Sequence, residues 1–338
     1  MSNAEALTYW TQKKYSAADV RAVIKDLDAW NILAIAIEFL PNANINCVLT
    51  TKLDQRYQSE GHLRSIVTYF SNLHTASGGN IFRGWIIVWA EDCIWDRGEP
   101  PSSQRAPIFA FCRDNDDLNT LLMPDPAFIG NVGYRTAREE IEEVSLHLPW
   151  ERKQPTVFWR GSSSGPGLNG EDWQNVPRIH LCLKAKELNV PMRLDVALSH
   201  LIAFDNPLHK QRIVDLDILK EKIPFREFLN YRYQVDIDGF GCAWMSYFKK
   251  LASHCLTLKV ESKSRQWYYD RLIPWTHYIP IKDDLSDLFE IIDWLPTHDT
   301  EAHTIAENAH LLMKNITFEA ETLHVVETLL TVLAAQRE

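Results

Sequence analysis

The sequence predicts an α/β fold in two domains, on three observations. At 338 residues the chain exceeds one ordinary hydrophobic core. Strand-like apolar runs alternate with segments of helical periodicity, most regularly after residue 155, and that alternation builds parallel sheets. Between the two halves, "LHLPWERKQP" (Leu146 to Pro155) interrupts both patterns with two prolines and a cluster of charges. The boundary is therefore set near residue 150, giving a first domain over 1–150 and a second over 151–314. A closing helix over 315–338 is free to pack back on the first domain.

The elements follow in order. Helical spacing runs from Ala17 to Leu27 and from Leu63 to His74, and the strands of the first half are "WIIVWA" from Trp85 and "APIFAFC" from Ala106. In the second half "TVFW" predicts a strand, "RGSSSGPGLNG" a polar turn, "RIHLCLKAKEL" a helix and "MRLDVAL" the next strand. The alternation continues with a helix from Trp244 to Ala252, the strand "LTLKV", a short helix "RQWYYDRL", the strand "HYIPI" and the helix "DDLSDLFEIIDWL". Helices from Glu301 to Met313 and from Phe318 to Ala335 complete the chain. A sheet wound in this way binds ligands at the carboxyl ends of its strands.

Composition narrows the function classes. A net charge of -10 argues against a nucleic-acid partner while leaving room for a local basic pocket. Cys47, Cys93, Cys112, Cys182, Cys242 and Cys255 stand singly, so they read as reduced thiols rather than as disulfides or zinc ligands. The most apolar stretch, "ILAIAIEFL" from Ile32, is less than half the ~20 residues needed to span a bilayer. With no apolar leader at the amino terminus, the expected location is the cytoplasm.

Several short patterns carry chemistry. "GPGLNG" (Gly165 to Gly170) fits the dinucleotide glycine pattern in letters only, because Pro177 still lies ahead of the helix. "DID" (Asp236 to Asp238) fits the acidic pair that holds a divalent cation in some sugar-nucleotide enzymes, and equally a turn after a strand. "WRGSSSG" (Trp159 to Gly165) offers backbone N–H groups, hydroxyls and the guanidinium of Arg160. Arg178, at the start of the following helix, adds a cation where the helix dipole already favours an anion. Phosphate binding is one reading of these two arginines, and surface pairing with Glu171 or Asp172 is the other. Asp92 follows the apolar run from Trp85, where a carboxylate serves as a general base or as a turn residue. His277 reads as a hydrogen-bonded core histidine.

Taken in order, "FWRGSSSG", "PRIHL", "YRYQVDIDG", "AWMSYFKKL", "LTLKVES", "YYDRLIPWTHYIPI" and "DLSDL" resemble the glycosyltransferase family 90 of protein O-glucosyltransferases, capsule xylosyltransferases and bacterial lipopolysaccharide-modifying enzymes. The resemblance runs from about Ile87 to the carboxyl terminus and is strongest from Phe158 to Leu288. It implies a GT-B architecture, two Rossmann-like domains facing a cleft, and metal-independent inverting transfer of a sugar from a UDP donor to a hydroxyl acceptor. By the same resemblance Asp92 is the base, although "AEDCIW" departs from the usual Asp-Tyr-Pro or Asp-Trp-Pro context. Arg160, Gly161, Ser162 and Ser163 fall on the family's Arg-Gly-Ser loop, and Arg178 falls on its diphosphate arginine. Asp238, Gly239, Trp244, Glu261 and Ser262 complete the donor side. Tyr247 stands where animal members place an arginine, so Lys249 is assigned the second cation. No cofactor or metal is expected. The ending "AAQRE" lacks a retention tail, which points to the bacterial, cytoplasmic branch. Glucose or xylose is the sugar that the resemblance implies first.

Two further expectations concern the aromatic run "RQWYYDRLIPW". At least two of Trp267, Tyr268, Tyr269 and Trp275 should be core, with the remainder free to flank a uridine or a sugar. The rival to an enzyme is a carbohydrate- or nucleotide-binding protein of the same fold without catalysis.

Overall fold

The computed structural model describes residues 3–51, 57–91, 103–117, 119–202 and 207–337. The chain is α/β and falls into two compact units. The first comprises Met1–Tyr134, Lys263–Asp270 and Ile316–Glu338; the second comprises Arg135–Ser262 and Arg271–Asn315.

The first unit opens with α1 (Asn3–Lys13), β1 (Tyr15–Ser16) and α2 (Ala17–Ala29). A capping box starts α2: the Ser16 hydroxyl accepts the Asp19 N–H, and the Asp19 carboxylate accepts the Ser16 N–H at 2.9 Å. Next come β2 (Ala34–Phe39), β3 (Ile45–Leu49), α3 (Tyr57–Ala76) and β4 (Gly84–Trp89). Then β5 (Ile108–Ala110), β6 (Arg113–Asp114), β7 (Thr120–Leu122) and α4 (Pro126–Gly130) follow. Five strands form one sheet in the order β3-β2-β4-β5-β7. The run "AIAIEF" is apolar on both faces, and β2 accordingly lies inside the sheet, antiparallel to both β3 and β4. The pairs β4–β5 and β5–β7 are parallel.

The second unit begins with α5 (Arg135–Ser145), β8 (Gln154–Ser162), α6 (Pro177–Leu188) and β9 (Leu194–His200). It continues with α7 (Pro207–Asp215), α8 (Phe225–Phe228), β10 (Tyr231–Asp236), α9 (Trp244–Ala252) and β11 (Leu256–Val260). After β12 (Ser264–Arg265), which belongs to the first unit, come β13 (Ile279–Ile281), α10 (Leu288–Trp294) and α11 (Asp299–Asn315). The strand order β13-β11-β10-β8-β9 is parallel throughout. Its core joins Val157, Trp159, Val235, Leu258 and Ile279 of the sheet to Ile179 and Leu181 of α6 and to Ile291 and Ile305 of the later helices. Finally α12 (Phe318–Ala334) and β14 (Gln336–Arg337) return to the first unit, where β14 pairs with β1 and the Gln336 side chain accepts the Trp85 N–H at 2.7 Å.

Three features differ from the sequence reading. The units divide at Tyr134, ahead of the proline-rich stretch, because α5 packs on α9 of the second unit. Residues 263–270 leave the second unit, and the expected short helix at "RQWYYDRL" is instead β12, paired antiparallel with β6, followed by a 3-10 turn at Tyr269–Arg271. Trp267 and Tyr268 are buried there, Trp267 against Phe128, which is what holds the segment in place. Trp275 is half exposed, so two of the four aromatics are core. No helix among the described residues is long and apolar enough to cross a membrane.

Candidate functional site

The second unit gathers its polar residues at the carboxyl edge of its parallel sheet. Here β8 runs out through Gly161 and Ser162, β10 through Asp236, and β11 into Glu261 and Ser262, while α6 begins at Pro177. The α6 amino end has no side-chain cap, and the positive end of its dipole favours an anion there.

Arg178 is the centre of this edge. Its Nη1 donates to the Ser164 hydroxyl at 2.6 Å and to the Ser162 hydroxyl at 3.2 Å. Its Nε donates to the carbonyls of Asp238 at 3.1 Å and Ile237 at 3.3 Å, and Nη2 donates to Ile237 O at 3.2 Å. The guanidinium therefore ties the end of β8 to the end of β10 and is fixed before any ligand arrives. Burial pulls its pKa below the usual value, with Asp238 and Asp236 opposing, and a guanidinium so placed stays charged. Gly239 lies against it: a β-carbon there would come within 2.6 Å of the Ser164 hydroxyl and 3.1 Å of Arg178 Cζ. Gly161 is equally constrained, because a β-carbon would lie 2.4 Å from the Trp159 ring.

Beneath Arg178 the two aspartates of "DID" sit in a buried ionic chain. Lys250 Nζ donates to one Asp236 carboxylate oxygen at 2.8 Å, and Lys259 Nζ donates to the other at 2.8 Å. Lys259 also donates to Asp238 at 2.6 Å, and the Ser262 hydroxyl donates to the remaining Asp238 oxygen. Burial opposes ionisation of Asp236, but the two ammonium groups outweigh it and hold the carboxyl at about 2. Asp238 is shifted the other way, raised by burial and by Asp236 against the pull of Lys259. Burial lowers Lys250, whereas at Lys259 the two carboxylates overcome burial and raise the pKa. Arg178, Lys250 and Lys259 against Asp236 and Asp238 leave one net positive charge at this edge.

The predicted residues do not all converge. Arg160 donates from Nη2 to both oxygens of Asp195, at 2.7 and 2.8 Å, and from Nη1 to the carbonyls of Trp159 and Asp195. Because β8 continues through Ser162, side chains alternate along it: Arg160 lies with Phe158, over whose ring it stacks at 4.7 Å, while Arg178 packs on the Trp159 side. Lys249 stacks at 4.6 Å over the Phe225 ring and reaches Glu140 at 4.0 Å, so the ammonium at the ionic chain is that of Lys250. Ser163 is buried and its hydroxyl accepts the Ile202 N–H at 3.0 Å, bracing the loop after β9. Glu261 is exposed, its N–H bonded to Ile281 O at 2.8 Å. Trp244 starts α9 with a φ of 41°, a left-handed conformation that costs a non-glycine residue roughly 1–3 kcal/mol. Asp92 lies outside the described residues.

Ser164, Lys250 and Lys259 were missed by the sequence reading. Only Ser164 carried a signal, its place in the "GSSSG" run.

The chain is similar to several known proteins. Protein O-glucosyltransferase 2 of Danio rerio is 31% identical over 209 residues, covering 61% of this chain and 38% of that protein. Protein O-glucosyltransferase 3 of Rattus norvegicus is 32% identical over 168 residues, covering 49% of this chain and 29% of that protein. The chain thus spans less than half the length of these relatives. Among solved structures, Anabaena HepE in complex with UDP and glucose is similar at 12% identity and a TM-score of 0.38, over 56% of this chain and 52% of that one. The glycosyl transferase family 90 model matches residues 88–330, which include every described element of the site. By that match, over well more than half its length, the chain belongs to glycosyl transferase family 90.

Proposed function

We propose that this chain transfers a sugar from a UDP-sugar to a hydroxyl acceptor with inversion at the anomeric carbon. The observation that carries this reading is the convergence of Arg178, the Ser162 and Ser164 hydroxyls and the side-chain-free Gly239 beside the uncapped start of α6. That edge suits a diphosphate: a fixed cation and two hydroxyls lie together at the positive end of the α6 dipole, with Gly239 packed against them.

In the proposed reaction Asp92 takes the proton of the acceptor hydroxyl, and the oxygen attacks the anomeric carbon opposite the departing diphosphate. Arg178 stabilises the charge that builds on the leaving group, and its bonds to two strands keep it aimed without reorganisation. Ser162 and Ser164 orient it. Arg160 is assigned no donor contact, since its guanidinium is taken up by Asp195. Glu261 and Ser262 border the same edge and are proposed to meet the nucleoside. The sugar is proposed to be glucose, in keeping with the names of the O-glucosyltransferase relatives, with xylose as the alternative, and the acceptor a hydroxyl of a glycan or of another molecule.

The test is release of UDP from a panel of UDP-glucose, UDP-xylose, UDP-galactose and UDP-N-acetylglucosamine, with UDP binding followed by thermal shift. Asp92→Asn should abolish turnover and leave UDP binding near normal. Binding of UDP without turnover on any donor would refute the enzyme reading.

A further inference from the structure

Beside the two serines that Arg178 holds, β9 ends in a histidine that the reaction as proposed leaves unused. The register of β8 against β9 breaks after Gly161: Gly161 pairs with Leu198, but Ser162 pairs with His200, so Ser199 is passed over. Without that break Ser199 would flank Ser162. Partners across a parallel ladder carry their side chains on one face of the sheet, which puts the imidazole on the face where the Ser162 hydroxyl meets Arg178 at 3.2 Å. The backbone there is pinned to the Gly-Ser segment as well. The His200 carbonyl accepts the Ser163 N–H at 3.2 Å, and the Ile202 N–H donates to the Ser163 hydroxyl at 3.0 Å.

His200 itself is exposed, with Nδ1 2.9 Å from the Ser199 hydroxyl. When that hydroxyl donates, the ring proton sits on Nε2, which leaves Nε2 as a donor for a ligand. The charged groups acting on the ring are both cations. Lys222 comes from the segment that prolongs the sheet past β9 through the Leu198–Leu219 bridge, and Arg178 comes from α6. Partial burial, then Lys222 and Arg178, press the pKa below the ordinary histidine value. The surroundings therefore lack the negative charge that an imidazolium needs.

We propose that His200 is a donor-binding residue: with Arg178 and the Ser162 hydroxyl it holds the diphosphate, and it takes up a proton as that anion arrives. This extends the sugar-donor reading and depends on it. An anion set against the ring supplies the missing negative charge, so the complex favours the imidazolium more than the free chain does. The sign follows from linkage: binding takes up protons, so affinity gains as pH falls and the gain fades as pH rises. A neutral ring still donates from Nε2, which retains a smaller part of the contact.

The experiment is isothermal titration of the full chain with UDP, repeated in buffers of different ionisation enthalpy so that proton uptake is read directly. His200→Gln keeps an N–H donor and removes the titrating charge, and because the residue is exposed the variant should melt with the wild type. The ratio of wild-type to variant affinity cancels the titration of UDP itself. That ratio should be about twofold at about pH 8 and about tenfold at about pH 5.5, with proton uptake larger in the wild type. A ratio that stays near one at both pH values, or equal proton uptake in the two chains, would overturn the role of His200. Arg178→Ala separates the two claims: if it loses UDP while His200→Gln does not, the donor reading stands and this inference falls. A wild-type chain that binds no UDP would overturn both.

Discussion

Gly239 lies so close to Arg178 that a β-carbon on the glycine would stand 3.1 Å from the guanidinium carbon and 2.6 Å from the Ser164 hydroxyl that the arginine holds. Nothing larger than hydrogen fits without shifting the proposed diphosphate cation. Gly239→Ala should therefore weaken UDP binding by about tenfold or more and cost about 1–3 kcal/mol of stability from overpacking. Isothermal titration with UDP and denaturant unfolding measure the two effects. Unchanged UDP affinity would remove Gly239 from the donor edge.

Arg160 of β8 and Arg178 of α6 should separate cleanly. Arg178→Ala should lower UDP affinity by roughly tenfold to a hundredfold, the scale of a charge-assisted contact to phosphate. Arg160→Ala should leave UDP affinity within about twofold, because its guanidinium is bonded to Asp195 and to strand carbonyls, while stability falls by about 1–2 kcal/mol. Equal losses of binding in both variants would contradict the opposite-face placement.

The adjacent lysines of α9 give a second contrast. Lys250→Ala leaves Asp236, itself 0% exposed, short of one of its two ammonium partners, and should cost about 3–5 kcal/mol. Lys249→Ala removes a side chain that stacks over Phe225 and meets Glu140 only at 4.0 Å, so a smaller loss, about 1 kcal/mol, is expected. Thermal unfolding of the two variants side by side decides it.

A pH effect is expected from the first unit. Asp125 caps α4 through the Ala127 and Phe128 N–H groups and accepts the Tyr134 hydroxyl, but its burial dominates and raises its pKa from 3.8 to about 6. A carboxyl raised in the folded state favours folding when protonated. Its contribution is complete below pH 3.8 and is lost as pH rises through about 6. Relative to Asp125→Asn, wild-type stability should therefore decline between these limits by on the order of 3 kcal/mol. A difference between wild type and variant that stays flat across that window would reject the shift.

Much of the second unit was legible in the sequence because its strands and helices alternate with clear periods, and α9 spans the residues that its spacing predicts. The Gly-Ser segment and Arg178 were found by type and place. What failed was direction. The segment "RGSSSG" looks like loop throughout, but the strand runs on to Ser162: alternation puts Arg160 with Phe158, away from Arg178, and a register break between Gly161 and Ser162 lets the Ser162 hydroxyl meet Arg178. Lys249 and Lys250 flank the apolar stripe of α9 on either side, at a step of about 100° per residue, so the stripe alone does not say which one meets Asp236. In the first unit, "AIAIEF" reads as a buried strand or a buried helix segment until its antiparallel partners are known.

The chain changes unit at Tyr134, Ser262, Asp270 and Asn315. No single cut in the gene therefore releases a self-sufficient half: a fragment ending at Tyr134 lacks the strand β12 and the helix α12 that complete its own unit. During synthesis the residues before Tyr134 must wait for those after Ile316 to emerge from the ribosome before their unit can close. Assembly should accordingly be governed by pairings that are distant in sequence, and it should be slower than that of domains encoded in one continuous stretch.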